Sequence, residues 1–549
     1  MKITIYLVLI LSAITSCTPR EASSNKFSDS SLLTIAKLQD DRNSQLLIPF
    51  LKAKKPIHRI AALNAFASIR DTSVKSFLFV TLYTDQITEV RSSAAFAIGQ
   101  LRDSSCVTKL FKALEMEIES AVQKQVIISL AKCADSKVIK FLADFDENNS
   151  ELREGHAIGL MHIARSPNIV KEHVKCGLRY VRNNENSDEC RFYAAFALGR
   201  MNKELTAGIC DSIDLDTESE KNKDLKIALR RLCTPSEPAI LSPFLLDELK
   251  QLEEKPYLFV SRLADIDLSS DRALDYLTFI AKNARHQVSR TAAAEQYFKQ
   301  LPRPIADVDA YRSFIMYALT SRDMALQSHA AVELKSIEDT ADYAEFIPIL
   351  KEQIGLMAMP RQTETYIDLV KALSHVSGQP KMDIPISSLH KVNWKEVALI
   401  PHNQSITIKT SKGDIVLEFF VEDAPGSVWN FINSVKAGEY NGRFFHRVVP
   451  DFVIQGGCPR GDGWGGPDWT QRSEFSQKRP FVKGALGLAS SGNDTEGVQF
   501  FITHCATPQL DGRYTVFGQV LTGFDVVDEI VVGDKIISIE LNEAEVPKV

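Results

Sequence analysis

Asp71, Asp103 and Asp135 stand 32 residues apart, and so do Leu78, Leu110 and Leu142. They belong to three segments in fixed register: IHRIAALNAFASIRDTSVKSFL (57–78), EVRSSAAFAIGQLRDSSCVTKL (89–110) and AVQKQVIISLAKCADSKVIKFL (121–142). Phe66, Ile98 and Leu130 form a column of large apolar residues, and Ala67, Gly99 and Ala131 a column of small ones. Apolar residues at helical spacing mark one buried face, and small residues let neighbouring helices approach. The Asp-Ser/Thr step breaks one helix, and Thr72, Ser104 or Ser136 is predicted to cap the next. Two short helices cannot bury their apolar faces alone, so such units must stack.

These units resemble HEAT repeats, including the arginine near the start of the second helix (Arg59, Arg91). AAFALGRM (194–201) nearly copies AAFAIGQL (94–101), and weaker echoes stand at 152–164, 224–232 and 289–301. Residues 31–380 are therefore expected to form an all-α solenoid with irregular later units, whose concave groove would take an extended protein partner. An irregular helical domain is the alternative, which the fixed register disfavours. No residue of this part forms a catalytic constellation.

At 549 residues the chain exceeds what one hydrophobic core organises. Its net charge of −6 offers no basic footprint, so nucleic acid is not an expected partner. From 381 the helical period ends. Residues 381–402 carry prolines without amphipathic patterning and read as a linker. ITIKTSKGDIVLEFF (406–420) alternates around a Lys-Gly-Asp turn as a hairpin does, and 424–440 reads as a helix with Pro425 near its start and Gly438 near its end. The remainder of 403–549 is short strands punctuated by glycine, a compact all-β domain or barrel.

Within it, FFHRVVPDFVIQGG (444–457) sets Arg447 among Phe, Val and Ile. Alternation along a regular strand puts Arg447, Val449, Asp451, Val453 and Gln455 on one side. Phe452 has the opposite parity, so the strand must break or bulge near Pro450 and Asp451 for Arg447, Phe452 and Gln455 to converge.

This stretch, with GDGWGGP (461–467), GALGLASSGNDTEGVQFFIT (484–503) and LDGRYTVFGQV (510–520), resembles the cyclophilins in motif order and spacing. The resemblance covers about residues 403–540. It implies a closed eight-stranded antiparallel barrel with two helices, peptidyl-prolyl cis/trans isomerisation of proline-containing polypeptides, and no metal or cofactor. It further implies that Arg447 donates to the prolyl nitrogen, and that Gln455 bonds the substrate backbone and orients the arginine. Phe452, Val453, Phe501 and Leu510 would form the proline pocket. Ala489 and Ser490 would offer backbone groups, and Gln499 would line the adjacent groove. Gln509 stands where many members carry tryptophan, which implies weak cyclosporin binding. Tyr514 replaces a frequent pocket histidine and can still offer a ring edge and hydroxyl. Phe500 is expected in the core by alternation, and His446 in packing. The GDGWGGP loop lacks the Lys-Ser/Thr ending and following helix of a phosphate-binding loop.

The N-terminus, MKITIYLVLILSAITSC, has Lys2, an apolar run from Ile3 to Ile14 and small residues before Cys17. The run is shorter than the roughly 20 residues a membrane span needs and reads as a secretory signal. Ile14-Thr15-Ser16-Cys17 resembles a bacterial lipobox, so 1–17 is read as a lipoprotein signal ending in a lipidated Cys17. An ordinary signal peptide is the alternative. Residues 18–30 are read as a flexible tether, with the outer membrane facing the periplasm as the expected location. The other eight cysteines show no CxxC pair and no metal-like spacing with histidine, which argues against zinc and a disulfide framework while leaving an isolated disulfide open. The expectation is an exported, membrane-anchored folding enzyme. A non-catalytic scaffold binding proline-containing segments is the alternative.

Overall fold

The computed structural model describes residues 25–146, 149–209, 222–233, 255–264, 271–300, 305, 307–380 and 390–543. The signal segment with Cys17, residues 18–24 of the tether and 381–389 of the linker lie outside the described residues.

Helices Pro56–Ile69, Thr88–Leu101, Ser120–Lys132, Ser150–Ile163 and Asp188–Leu198 stack each on the next, alternating along the chain with shorter helices. Phe66, Ile98 and Leu130 are fully buried, as are Leu78, Leu110 and Leu142. Gly99 belongs to the small column for a steric reason. A Cβ there would lie 2.7 Å from Ser129 Oγ, and that hydroxyl donates across the same contact to Ala95 O. Helices Pro256–Ala264, Gln287–Gln300, Met324–Leu334 and Thr363–Ser377 form a second stack with its own core.

The caps differ from expectation. Asp71, Asp103 and Asp135, not the following Thr or Ser, accept from the free N–H groups at the next helix start. A carboxylate adds charge complementarity with the helix N-terminus to the cap, worth about 1 kcal/mol. Arg59, Arg91 and Arg290 share one device. Each donates to the carbonyl six residues earlier, of Ala53, Asp85 and Ala284, and pairs with an acid of the following unit, Asp85, Glu117 and Asp323. Arg290 thus carries the repeat into a region where the sequence keeps only an echo.

The C-terminal part is one antiparallel sheet of eight strands: β1 Ser405–Thr410, β2 Gly413–Phe419, β3 Phe445–Val449, β4 Val453–Gly456, β5 Ala485–Leu488, β6 Phe500–Thr503, β7 Val516–Thr522 and β8 Ile536–Leu541. Their spatial order is β3-β4-β6-β5-β7-β2-β1-β8. The sheet curls, and its two edges meet through an isolated bridge, Phe444 to Lys535, rather than a full ladder. Helix Pro425–Lys436 fills the interior with Trp429, Phe431 and Ile432. Phe500 joins this core, edge-on to Phe431 and Tyr440, while Phe501 points to the opposite face as period-2 alternation requires.

Residues 25–30, expected as flexible tether, are packed instead. Asn25 is buried and donates to Val397 O and Ile400 O, and Phe27 enters the core of the sheet domain. A buried amide with both donors satisfied and a buried ring outweigh the chain entropy of a free segment. Residues 390–400 of the linker dock on the same core through Val397 and Ile400.

The sheet domain sits against both helical stacks. Phe475 N donates to Ser68 Oγ, Arg70 Nη2 to Gly512 O at 2.7 Å, and Arg42 Nε to Asp494 Oδ2 at 3.0 Å. From the second stack, Tyr257 OH donates to Gly461 O, and Arg361 pairs with Asp468. The helical repeats, expected to take an extended partner, thus also contact the chain's own sheet domain.

Candidate active site

The segment from Phe445 to Gly456 is a hairpin. β3 ends at Val449, Asp451 takes a left-handed conformation (φ 58°), and Phe452 N closes the turn on Val449 O at 3.0 Å. The break required by parity is thus a full reversal. It makes Arg447 and Gln455 direct cross-strand partners, with Gln455 opposite Phe501 of β6 on its other side. Directly opposed residues share one face of the sheet. Phe452, in the turn, places its ring centroid 5.9 Å from Arg447 Cζ.

A second, small core underlies this face. Val453, Phe501 and Leu510 belong to it with Phe420, Phe481, Ala485 and Val516, and Phe452, Ala489 and Tyr514 pack against it. Tyr514 meets Phe501 edge-on at 5.9 Å, and Phe481 stacks behind Phe501 at 5.5 Å. The result is an apolar pocket with an arginine at its rim. Arg447, Phe452, Val453, Gln455, Ala489, Ser490, Gln499, Phe501, Leu510 and Tyr514 all line one cleft of about 730 Å³. Gln509 does not line it.

Arg447 is exposed within the cleft and makes no hydrogen bond or ion pair with the described residues. Burial by the cleft walls pushes its pKa below the usual arginine value, opposed by the charge of Glu295 and by Tyr514. It keeps its proton at any neutral pH. No hydrogen bond joins Gln455 to Arg447. The Gln455 amide is oriented from its other side: Nε2 donates to Gln499 Oε1 at 3.1 Å, and Gln499 Nε2 donates to Gly463 O and Gly465 O at 2.8 and 2.7 Å. Two carbonyls fix which end of Gln499 is nitrogen, so Gln455 must present its own nitrogen to Gln499 and its Oε1 to the cleft. Gln499, expected as groove lining, is a clamp. Ala489 N–H is already given to Gln499 O, so a peptide laid along this edge finds the Ala489 carbonyl rather than its donor. His446 is largely enclosed, and burial lowers its pKa to about 4, leaving a neutral ring. Among the described residues no group of three His, Cys, Asp or Glu could hold a metal ion.

The glycine-rich loop turns out to be a docking element. Asp462, its side chain fully buried, accepts from Arg460 Nη2 at 2.8 Å, Trp464 N at 3.1 Å and Thr291 Oγ1 of the repeats at 3.2 Å. Arg460 also reaches Asp323, Gln287 Nε2 donates to Arg460 O, and Trp464 meets His329 edge-on. The helical repeats therefore form the far wall of the cleft, where Thr291, Glu295, Lys299, His329 and Glu364 join the sheet-domain residues. None of these was legible as a site residue. The signal in this helix is a polar row, Gln287, Thr291, Glu295 and Lys299, at four-residue spacing.

Residues 405–547 match the family described as cyclophilin type peptidyl-prolyl cis-trans isomerase/CLD, and residues 76–161 match HEAT repeats. The chain is 46% identical over 136 residues to a peptidyl-prolyl cis-trans isomerase of Helicobacter pylori, covering 24% of this chain and 83% of that protein. It is 43% identical to one of Synechococcus elongatus, covering 24% of this chain and 93% of the relative. It is 46% identical over 122 residues to peptidyl-prolyl cis-trans isomerase B of Bacillus subtilis, covering 22% and 85%.

Proposed function

Since the chain belongs to the cyclophilin-type peptidyl-prolyl cis/trans isomerases and is such an enzyme, we propose that Arg447, Phe452 and Gln455 carry its reaction. Amide resonance raises the X-Pro rotation barrier to about 18–20 kcal/mol. No bond needs to be made or broken. The enzyme must hold the proline ring and favour the twisted amide, whose nitrogen has become pyramidal and basic. In this reading the ring enters the pocket of Phe452, Val453, Phe501 and Leu510, with Tyr514 at its edge. Gln455 Oε1 accepts from a backbone N–H of the substrate, and the carbonyl of Ala489 with the backbone of Ser490 holds the flanking chain. Arg447 donates to the nitrogen lone pair only when it appears. An interaction made in the transition state and not in the ground state lowers the barrier.

The observation that carries this reading is the cross-strand pairing of Arg447 with Gln455 above an apolar pocket. Arg447→Ala in the full chain is expected to lower kcat/KM about 10²–10³-fold, as loss of one preorganised transition-state donor does. Turnover should be followed in a protease-coupled proline-peptide assay, with the circular dichroism spectrum unchanged. Wild-type-like turnover in the variant would reject the mechanism.

The curled sheet reads as a barrel closed between β3 and β8, on the support of bonds from Gly442 N to Ile536 O and Phe445 N to Asp534 O at 2.8 and 2.9 Å. The enzyme's setting reads as export with lipid attachment at Cys17, and the repeats as the part that meets clients beside the cleft. The anchor rests on the sequence of residues 1–17. No described helix is long and apolar enough to cross a membrane. Cys17→Ala should release the protein from the membrane fraction, and persistent sedimentation with membranes would reject the lipid anchor.

A further inference from the structure

We propose that Glu295, on the helical repeats, is a specificity-determining residue of the isomerase cleft that selects substrates with a lysine or arginine side chain within about three residues of the proline. The inference rests on the isomerase reading of Arg447 and adds to it a residue from the other domain.

Helix Gln287–Gln300 is held against the sheet domain at two successive turns. Gln287 donates to Arg460 O, and Thr291 donates to Asp462. Residues four apart on a helix lie on one face, so Glu295 follows Thr291 along the bonded row. One turn advances the row by about 5.4 Å, and this step carries Glu295 past the loop and over the cleft that holds Arg447, Phe452 and Gln455. Glu295 is exposed there, and no described residue pairs with it.

The other acids of the cleft are committed. Asp462 is bonded to Arg460, Thr291 and Trp464. Glu364 is exposed as well, but it bonds Ser491, and desolvation by the cleft walls raises its pKa to about 7. On the cationic side, Arg361 is paired with Asp468. Lys299 lies a further turn along the same row. Glu295 is thus the one lining carboxylate, among the described residues, that is exposed and unpaired. Its charge also acts on Arg447, so it stands within electrostatic range of the position the prolyl nitrogen must take. An extended peptide advances about 3.3–3.6 Å per residue, so that range covers side chains one to three residues from the proline. Without Glu295, Arg447 and Lys299 would leave the cleft net cationic and favour acidic flanks. With it, a cationic flank gains a partner in a partly desolvated cleft, where charge pairs are screened less than at an open surface.

The test uses the full-length protein and hexapeptides carrying Lys, Ala or Glu one or two residues before or after proline. Cis/trans exchange is followed by NMR exchange spectroscopy at low salt. Glu295→Gln is expected to shift the Lys-to-Glu rate ratio about tenfold toward Glu in at least one position, and Glu295→Lys to shift it further in the same direction. The shift should shrink at 0.5 M salt. An unchanged ratio at every position overturns the proposal while leaving the isomerase reading intact. An equal change for all peptides, whatever their charge, also overturns it, because Glu295 would then act on Arg447 alone. Absence of catalysed exchange by the wild-type protein on any peptide would overturn the isomerase reading itself, and this proposal with it.

Discussion

Gln455 donates through Nε2 to Gln499 Oε1 at 3.1 Å, and Gln499 in turn grips the carbonyls of Gly463 and Gly465. The amide beside Arg447 is therefore oriented by the same loop that carries the helical repeats through Arg460 and Asp462. Gln499→Leu keeps the volume and removes all three bonds. It frees the Gln455 amide to rotate, which should cost about 1 kcal/mol of a net hydrogen bond. The expected result is a fall in kcat/KM of about five- to tenfold, carried by kcat more than by KM. Steady-state kinetics on a neutral proline peptide measure it. An unchanged kcat would show that Gln455 needs no clamp.

Gly487 of β5 is required by the pocket floor. A Cβ there would lie 2.4 Å from Phe501 Cζ and 2.6 Å from Phe481 Cε1, two stacked rings of the pocket core. Overpacking of this kind costs about 1–3 kcal/mol. Gly487→Ala should lower the thermal midpoint and, by displacing Phe501, raise KM for proline peptides. A variant with wild-type stability and KM would show that the two rings yield without cost.

The loop at Asp462 should govern how firmly the repeats hold the sheet domain. Its buried carboxylate accepts charge-assisted bonds from Arg460 together with bonds from Thr291 and the Trp464 backbone. Asp462→Ala leaves Arg460 its other partner, Asp323, so the loss should be about 2 kcal/mol rather than that of an orphaned charge. Amide hydrogen exchange in helix Gln287–Gln300 should accelerate. Unaltered protection there would mean that other contacts suffice for docking.

How far the site could be read from sequence follows from where its residues lie along the chain. Arg447, Phe452 and Gln455 fall within nine positions, and parity alone required the break that became the hairpin at Asp451. The repeat was legible as a period because Asp71, Asp103 and Asp135 do the same capping job in each unit. Which atom caps was not legible, since Asp and the next Ser or Thr are both good N-caps and only the backbone turn decides between them. The clamp by Gln499 depends on where the carbonyls of a distant loop stop. The far wall depends on Thr291 meeting Asp462, 171 residues away. No local pattern encodes that meeting. The docked segment at 25–30 was hidden for the same reason: its polar composition says tether, and its partners are carbonyls at Val397 and Ile400.

Glu474 offers a test of how the fold treats a buried acid. It is fully buried at the start of helix Pro425–Lys436, accepting from Gly426 N, Ser427 N and Ser427 Oγ. Burial outweighs those bonds and raises its pKa to about 7 from an ordinary 4.5. The folded state then holds a proton that the unfolded chain releases, so this group's contribution is fully present below about pH 4.5 and is lost as pH rises to about 7. Buried histidines oppose it in the same window. His156 and His446, lowered by burial to about 3 and about 4, add stability as pH rises toward 6.5. The wild-type profile alone therefore mixes both signs, and the difference between variant and wild type isolates Glu474. Glu474→Gln keeps the acceptor and cannot ionise. Its thermal midpoint relative to wild type should rise steadily from pH 5 to pH 7.5 and level off above. A difference that stays constant across that range would mean Glu474 is ionised in the fold throughout, with its three donors outweighing burial.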